Sequence, residues 1–160
     1  MIPVAPPVQS YVQNDVATIV YRIDTTQSDF WMQHTDVSIF WTRELQFRQL
    51  TESTRKAKAF EEGWDGYDAP APNDASVART LEVLSRVRDS KLSPYSVLPS
   101  ADGGVGISFR GNANKRAVLE LLNDGTSSYI LFGKGYPIES SEFNSNTDLP
   151  RILQRLEEYL

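Results

Sequence analysis

The chain has 160 residues, no cysteine, one histidine and a net charge of −5 at pH 7. This length suits one domain with its own hydrophobic core, and the lack of cysteine excludes disulfides and thiolate metal sites. Each end is acidic, with one Arg against four Asp in residues 1–40 and two Arg against five acids in residues 136–160, so no basic face for nucleic acid is expected.

The N-terminus is rich in proline, with three prolines in its first seven residues. Because proline removes backbone donors and fixes φ, residues 1–15 are predicted to form a flexible arm that precedes a single domain over residues 16–160. This start lacks the basic and apolar regions of a signal peptide, and no segment has the roughly 20 apolar residues of a membrane span. We therefore expect a cytoplasmic protein that does not bind membranes. The β-branched run from Val16 to Ile23 predicts a first strand.

Two helices are predicted in the next part of the chain. The short apolar segments Phe30 to Met32 and Val37 to Trp41 are compatible with a strand or an irregular segment that leads into a helix. From about Thr42 to Glu62 the chain has no proline or glycine, which favours a long helix that Gly63 ends. Asn73 is a suitable N-cap for a second helix, in which apolar residues recur at helical spacing from Val77 onward.

Four strands and a last helix follow. The strands are predicted at Tyr95–Leu98, Val105–Arg110, Arg116–Leu122 and Ser128–Phe132, and they are joined by Gly- and Asn-rich turns typical of hairpins. Asp148, Leu149 and Pro150 indicate the start of a C-terminal amphipathic helix. The predicted fold class is therefore α+β, with an antiparallel meander of about four strands packed against two or three helices and an N-terminal strand or arm.

No group of residues indicates a particular reaction. The single histidine, His34, has no identifiable nucleophile or carboxylate partner, and the acids near Asp65 lack the spacing of a calcium loop. We therefore predict no enzyme activity, no catalytic residue, no metal and no cofactor. Glu120 and either Asp65 or Asp68 are the carboxylates that glycoside-type chemistry would use if folding brought them together.

The run from Glu61 to Asn73 contains Trp64 and Tyr67 between two glycines and two prolines. One interpretation is structural: Trp64 anchors a corner between helices, Asp65 accepts backbone N–H groups, and Gly66 takes a positive φ. The other places Trp64 or Tyr67 on the surface as a contact for a partner, because aromatic residues dominate interface energetics. The two interpretations differ in whether Trp64 responds to a partner.

At Gly63, Trp64, Asp65, Gly66, Tyr67, Ala69 and Pro70 the chain resembles a group of uncharacterised bacterial proteins with a Gly-Trp-Asp-Gly-Tyr-x-Ala-Pro segment. The resemblance extends over about residues 63–133, and Asp68 stands where the group usually has glycine. Such proteins are similar to small accessory proteins of bacteria and their mobile elements. The resemblance implies no activity and no catalytic residue.

Two functions remain. The first is a non-catalytic protein-binding module of the antitoxin, immunity or inhibitor type, from a phage or mobile element, which binds another protein. Such a module is compatible with either a monomer or a homodimer. Its predicted partner-binding residues are all aromatic: Trp31, Phe40, Trp41, Trp64 and Tyr67. The alternative is a small-ligand or carbohydrate-binding domain with weak hydrolase activity, built around Trp64, Tyr67, Asp65 and Glu120.

Overall fold

The computed structural model of the protein describes the backbone of residues 31–160 and the side chains of residues 41–160. The predicted arm and the strand at residues 16–23 lie outside the described residues. The helices are α1 (Trp31–Lys56), α2 (Asp74–Arg88) and α3 (Leu149–Tyr159), and a 3₁₀ turn covers Ala57–Ala59. The strands are β1 (Pro94–Pro99), β2 (Gly104–Arg110), β3 (Arg116–Leu122), β4 (Ser127–Gly133) and β5 (Tyr136–Glu142). The α+β fold class is confirmed.

Helix α1 differs from its prediction at both ends. It begins at Trp31, so the apolar segment from Val37 to Trp41 is helical, and the expectation of a strand or irregular segment there is wrong. Short apolar runs have no decisive period, and extending an existing helix costs little once the helix has formed. The helix ends at Lys56, before Gly63; the 3₁₀ turn follows it directly, and Phe60 is then extended.

Helix α2 runs antiparallel to α1 and begins as predicted. The side chain of Asn73 accepts a hydrogen bond from the backbone N–H of Ser76 at 2.8 Å, which satisfies an orphan donor of the first turn. Two ion pairs join the helices at opposite ends: Lys58 to Asp74 at 2.7 Å, and Arg88 to Glu44 at 2.9 Å. The two helices therefore lie side by side along most of α2.

The sheet is an antiparallel meander in the order β1-β2-β3-β4-β5, with one strand more than predicted. Strand β5 lies at the edge and is mostly exposed, so its sequence has no alternation of apolar and polar residues. It follows a tight turn in which Lys134 and Gly135 both have positive φ, 54° and 89°. Pairing with β4 holds β5, and such pairing leaves no local signal in the sequence.

One face of the sheet forms the core. Alternate residues of the central strands are fully buried there, among them Ile107, Phe109, Leu119 and Leu131, and the apolar residues of the helices join the same cluster. The other face, which we call the outer face, carries partly exposed side chains such as Ser108, Val118 and Ile130. Within residues 31–160 no helix is long and apolar enough to cross a membrane.

Candidate protein-binding surface

The corner between the 3₁₀ turn and α2 is built by local hydrogen bonds. One carboxylate oxygen of Asp65 accepts the backbone N–H of Tyr67 at 2.9 Å and that of Ala69 at 3.4 Å. Gly63 and Gly66 have φ of 75° and 82°, as this tight path requires, and Gly63 N–H donates to the Ala69 carbonyl at 2.9 Å. The carboxylate of Asp65 is thus used to shape the loop.

Asn123, in the β3–β4 turn, fastens this corner to the sheet. Its amide oxygen accepts the backbone N–H of Asn73 at 2.8 Å and the hydroxyl of Ser76 at 2.9 Å, and its amide NH₂ donates to the Ala71 carbonyl at 2.8 Å. Sequence reasoning missed this role, because Asn123 also fits an ordinary hairpin turn. No local signal indicates a contact between residues about 50 positions apart.

The two aromatic residues of the corner have different surroundings. Trp64 is half-buried and packs edge-on against Phe60, with ring centroids 5.5 Å apart. Its indole Nε1 is buried and has no hydrogen-bond partner among the described residues. Tyr67 is 82% exposed. The geometry assigns Trp64 a packing role and leaves Tyr67 as the only aromatic of this corner, residues 61–73, that projects into solvent.

A second exposed surface lies on α1. Trp41 is 65% exposed and Leu45 is 54% exposed, and because they are four residues apart on a helix they share one face. We call these two residues the α1 face. Phe47 and Leu50, further along the same helix, are buried in the core. The α1 face is therefore the side of the helix that the core does not use.

Arg43 fixes where this face lies in the molecule. Its guanidinium donates to the carbonyl oxygens of Ser90 at 2.7 Å and Leu92 at 3.0 Å, immediately beyond the C-terminal end of α2. The twelve residues of α1 before Arg43 correspond to about 18 Å of helix at 1.5 Å per residue. Because the helices are antiparallel, this part of α1 extends beyond α2. Trp31 and Phe40 belong to it, and their side chains lie outside the described residues.

The predicted site residues thus divide between two elements, with Trp41 on α1 and both Trp64 and Tyr67 in the corner. The carboxylates of the small-ligand alternative have separate local partners. Glu120, on the outer face, accepts hydrogen bonds from Ser100 at 3.1 Å and Ser128 at 3.4 Å, while Asp65 binds backbone N–H groups. Neither residue lines any of five clefts that lie among residues 41–160.

Shifted pKa values among the described residues have structural causes. Arg155 and the Tyr129 hydroxyl both donate hydrogen bonds to Glu139, which lowers the pKa of that carboxyl, with Arg155 the larger cause. The same contact with Glu139 raises the pKa of Tyr129. These three residues join β5 and β4 to α3. The backbone N–H of Thr126 lowers the pKa of Asp124 within a turn.

Residues 41–160 contain no group of three or more metal-ligating side chains. Comparison of the chain with protein-family models, with curated protein sequences and with solved structures finds no match.

Proposed function

We propose that the chain is a non-catalytic protein-binding module of the antitoxin, immunity or inhibitor type. The observation that carries this proposal is the α1 face, where Trp41 and Leu45 expose 65% and 54% of their surface one helical turn apart. Tryptophan is among the residues that contribute most to protein interfaces, and it does so when a partner removes it from water. Burial of a leucine-sized side chain contributes about 1.5–3 kcal/mol.

The position of the α1 face also suits binding. Trp41 lies in the part of α1 that extends beyond α2, and Leu45 is exposed just after Arg43, so neither side chain takes part in the contacts of Arg43 with Ser90 and Leu92. A helix that exposes apolar side chains at i and i+4 fits an apolar groove, in which those residues act as anchors. The partner expected here presents such a groove to the helix.

The class of module rests on further observations. The net charge of −5 and the two acidic ends favour a partner with a basic surface, since complementary charge speeds association. The resemblance of about residues 63–133 to accessory proteins of bacteria and mobile elements supports an origin in a phage or mobile element. A cytoplasmic location is part of the same proposal.

The test is a binding measurement with each product of the adjacent genes, purified together with this chain. We expect one of them to bind, and we expect Trp41→Ala and Leu45→Ala each to raise the dissociation constant at least 10-fold, about 1.4 kcal/mol. Ile138→Ala is the matched control, because Ile138 is an apolar side chain of similar exposure, 59%, that lies on β5 and outside the α1 face. Its dissociation constant should equal that of the wild type.

Tyr67→Ala separates the two exposed surfaces. If the corner binds the partner, this variant will weaken binding and the two α1 variants will not, which would contradict the assignment to the α1 face. If none of the gene products binds with a dissociation constant below about 10 µM, the protein-binding proposal itself loses its support. The small-ligand alternative stays a prediction that glycan-array binding would test.

A further inference from the structure

A row of four side chains crosses one end of the outer face of the sheet. From β1 to β4 the row consists of Tyr95, Arg110, Arg116 and Phe132, and we call it the arginine row. The guanidinium of Arg110 lies over the Tyr95 ring, 4.5 Å from its centroid, and that of Arg116 lies 5.4 Å from the centroid of Phe132. Each arginine is therefore held against an aromatic ring.

The two arginines stand directly opposite each other. Arg110 pairs with Arg116 in the register of β2 and β3, and like charges in such a pair destabilise a sheet. No carboxylate forms an ion pair with either residue in the described part of the chain. The stacking on Tyr95 and Phe132 positions the guanidinium groups, but it does not neutralise their charge.

The cleft beside the arginine row has a volume of about 580 Å³ and is unusually basic for this chain. Four of its seven lining residues are cationic and none is acidic: Arg110, Gly111, Asn114, Lys115, Arg116, Lys134 and Gly135. The ammonium group of Lys115 donates one hydrogen bond to the carbonyl of Tyr159 at 2.7 Å and so retains two donors. The molecule as a whole carries a net charge of −5, so this cleft is a local exception.

We propose that this cleft binds a phosphate monoester dianion. Two guanidinium groups offer planar pairs of N–H donors that match the oxygens of a phosphate. Lys115 and Lys134 add positive charge, and their ammonium groups bind in many orientations. A dianion neutralises the repulsion between Arg110 and Arg116 more fully than a single carboxylate does. A long nucleic acid fits less well, because its further phosphates meet a chain whose net charge is −5.

The phosphate has two sources, a free phosphorylated small molecule or a phosphorylated side chain of a protein. Both present the same group to the same four cations. This proposal does not depend on the α1 face, since that face is apolar and lies on a helix. Failure of either proposal leaves the other unaffected.

The experiment is an NMR titration of the full chain with inorganic phosphate at constant ionic strength and about pH 7.5, where phosphate is mainly a dianion. We expect saturable shifts confined to the backbone amides of residues 110–116 and 134–136, with a dissociation constant of about 1 mM or below. Arg110→Gln and Arg116→Gln should each weaken binding at least 10-fold. Arg116→Lys keeps the positive charge but loses the planar pair of N–H donors, so this variant should bind phosphate with intermediate affinity.

Arg86→Gln is the charge-matched control, because Arg86 is exposed in the last turn of α2 and does not line the cleft. This variant should bind phosphate as the wild type does. Shifts that stay linear to about 50 mM phosphate, or that persist unchanged in Arg116→Gln, would overturn the proposal. Unchanged amide spectra elsewhere will show that each variant is folded.

Two further ligands identify the source of the phosphate. Tighter binding of a phosphoserine peptide than of inorganic phosphate supports a modified protein as the ligand, and tighter binding of a sugar phosphate supports a small molecule. An octamer of deoxythymidine is the third ligand. If it binds more tightly than either monoester and competes with phosphate, the site recognises nucleic acid and the monoester proposal is wrong.

Discussion

Replacing Asn123 with alanine removes the three hydrogen bonds that join the β3–β4 turn to the corner and to the start of α2. Those bonds involve the N–H of Asn73, the hydroxyl of Ser76 and the carbonyl of Ala71, at 2.8, 2.9 and 2.8 Å. Each net hydrogen bond contributes about 0.5–1.5 kcal/mol, so the sum is about 1.5–4.5 kcal/mol.

The surroundings narrow this range. Asn73 is exposed, so water replaces the lost partner of its N–H, and the single hydroxyl proton of the buried Ser76, which Asn123 and the Asn73 carbonyl share, keeps the Asn73 carbonyl as its acceptor. Both effects favour the lower half of the range. We therefore expect Asn123→Ala to lower the free energy of unfolding by about 2–3 kcal/mol. For a domain of this size that corresponds to a fall in Tm of about 4–12 °C.

Urea unfolding monitored by circular dichroism is the appropriate assay, with the m-value compared between variants to confirm that the transition is the same. Asn112→Ala is the matched control. Asn112 also lies in a hairpin turn and is exposed, but only its backbone groups bond to other residues: its N–H donates to the Leu160 carbonyl at 3.2 Å, and its carbonyl accepts the N–H of Lys115 at 3.0 Å. The control should change stability by less than about 0.5 kcal/mol. If Asn123→Ala falls within that same limit, the role assigned to the Asn123 contacts is refuted.

Three further predictions test the core, the backbone and the pH dependence. Phe109→Ala, at a fully buried position, should lower the free energy of unfolding by about 3–5 kcal/mol in urea, and a loss below about 1 kcal/mol would contradict its place in the core. Gly104 has φ of 107°, and a Cβ there would lie 2.3 Å from the Leu121 carbonyl oxygen, so Gly104→Ala should destabilise the fold strongly and lower Tm. Because the pKa of Glu139 is lowered in the fold, its ionised form stabilises the protein above the pKa of the unfolded state, and this contribution disappears as pH falls through the folded value. Tm should therefore fall less steeply below about pH 5 in Glu139→Gln than in the wild type, and equal slopes in differential scanning calorimetry would contradict this.

Features that depend on local chemistry were predictable from the sequence. The start of α2 follows from Asn73, whose side chain caps the helix within three residues. The start of α3 follows from Leu149 and Pro150, since proline suits the first turn of a helix. The hairpins joining β1 to β4 follow from glycine- and asparagine-rich turns. In each case the determining contact spans only a few residues.

The candidate site was predictable only in part. Trp41 and Tyr67 were identified as aromatic residues suited to an interface, and the structure adds that both are largely exposed. For Trp64 the sequence left two interpretations, an anchor of the corner or a partner contact, and in the structure its ring packs against Phe60. Exposure depends on what the rest of the chain places around a side chain, and composition does not contain that information.

The sequence by itself determined the α+β class, the order of most elements and the caps and turns that separate them, because these depend on contacts between near neighbours. The tertiary structure decided the rest. Strand β5 forms because it pairs with the edge of β4. Asn123 bonds to a segment 50 positions away in the sequence. The register of β2 and β3 sets Arg110 opposite Arg116. A one-residue change in that register would move alternate side chains to the other face, so only the folded pairing creates the arginine row.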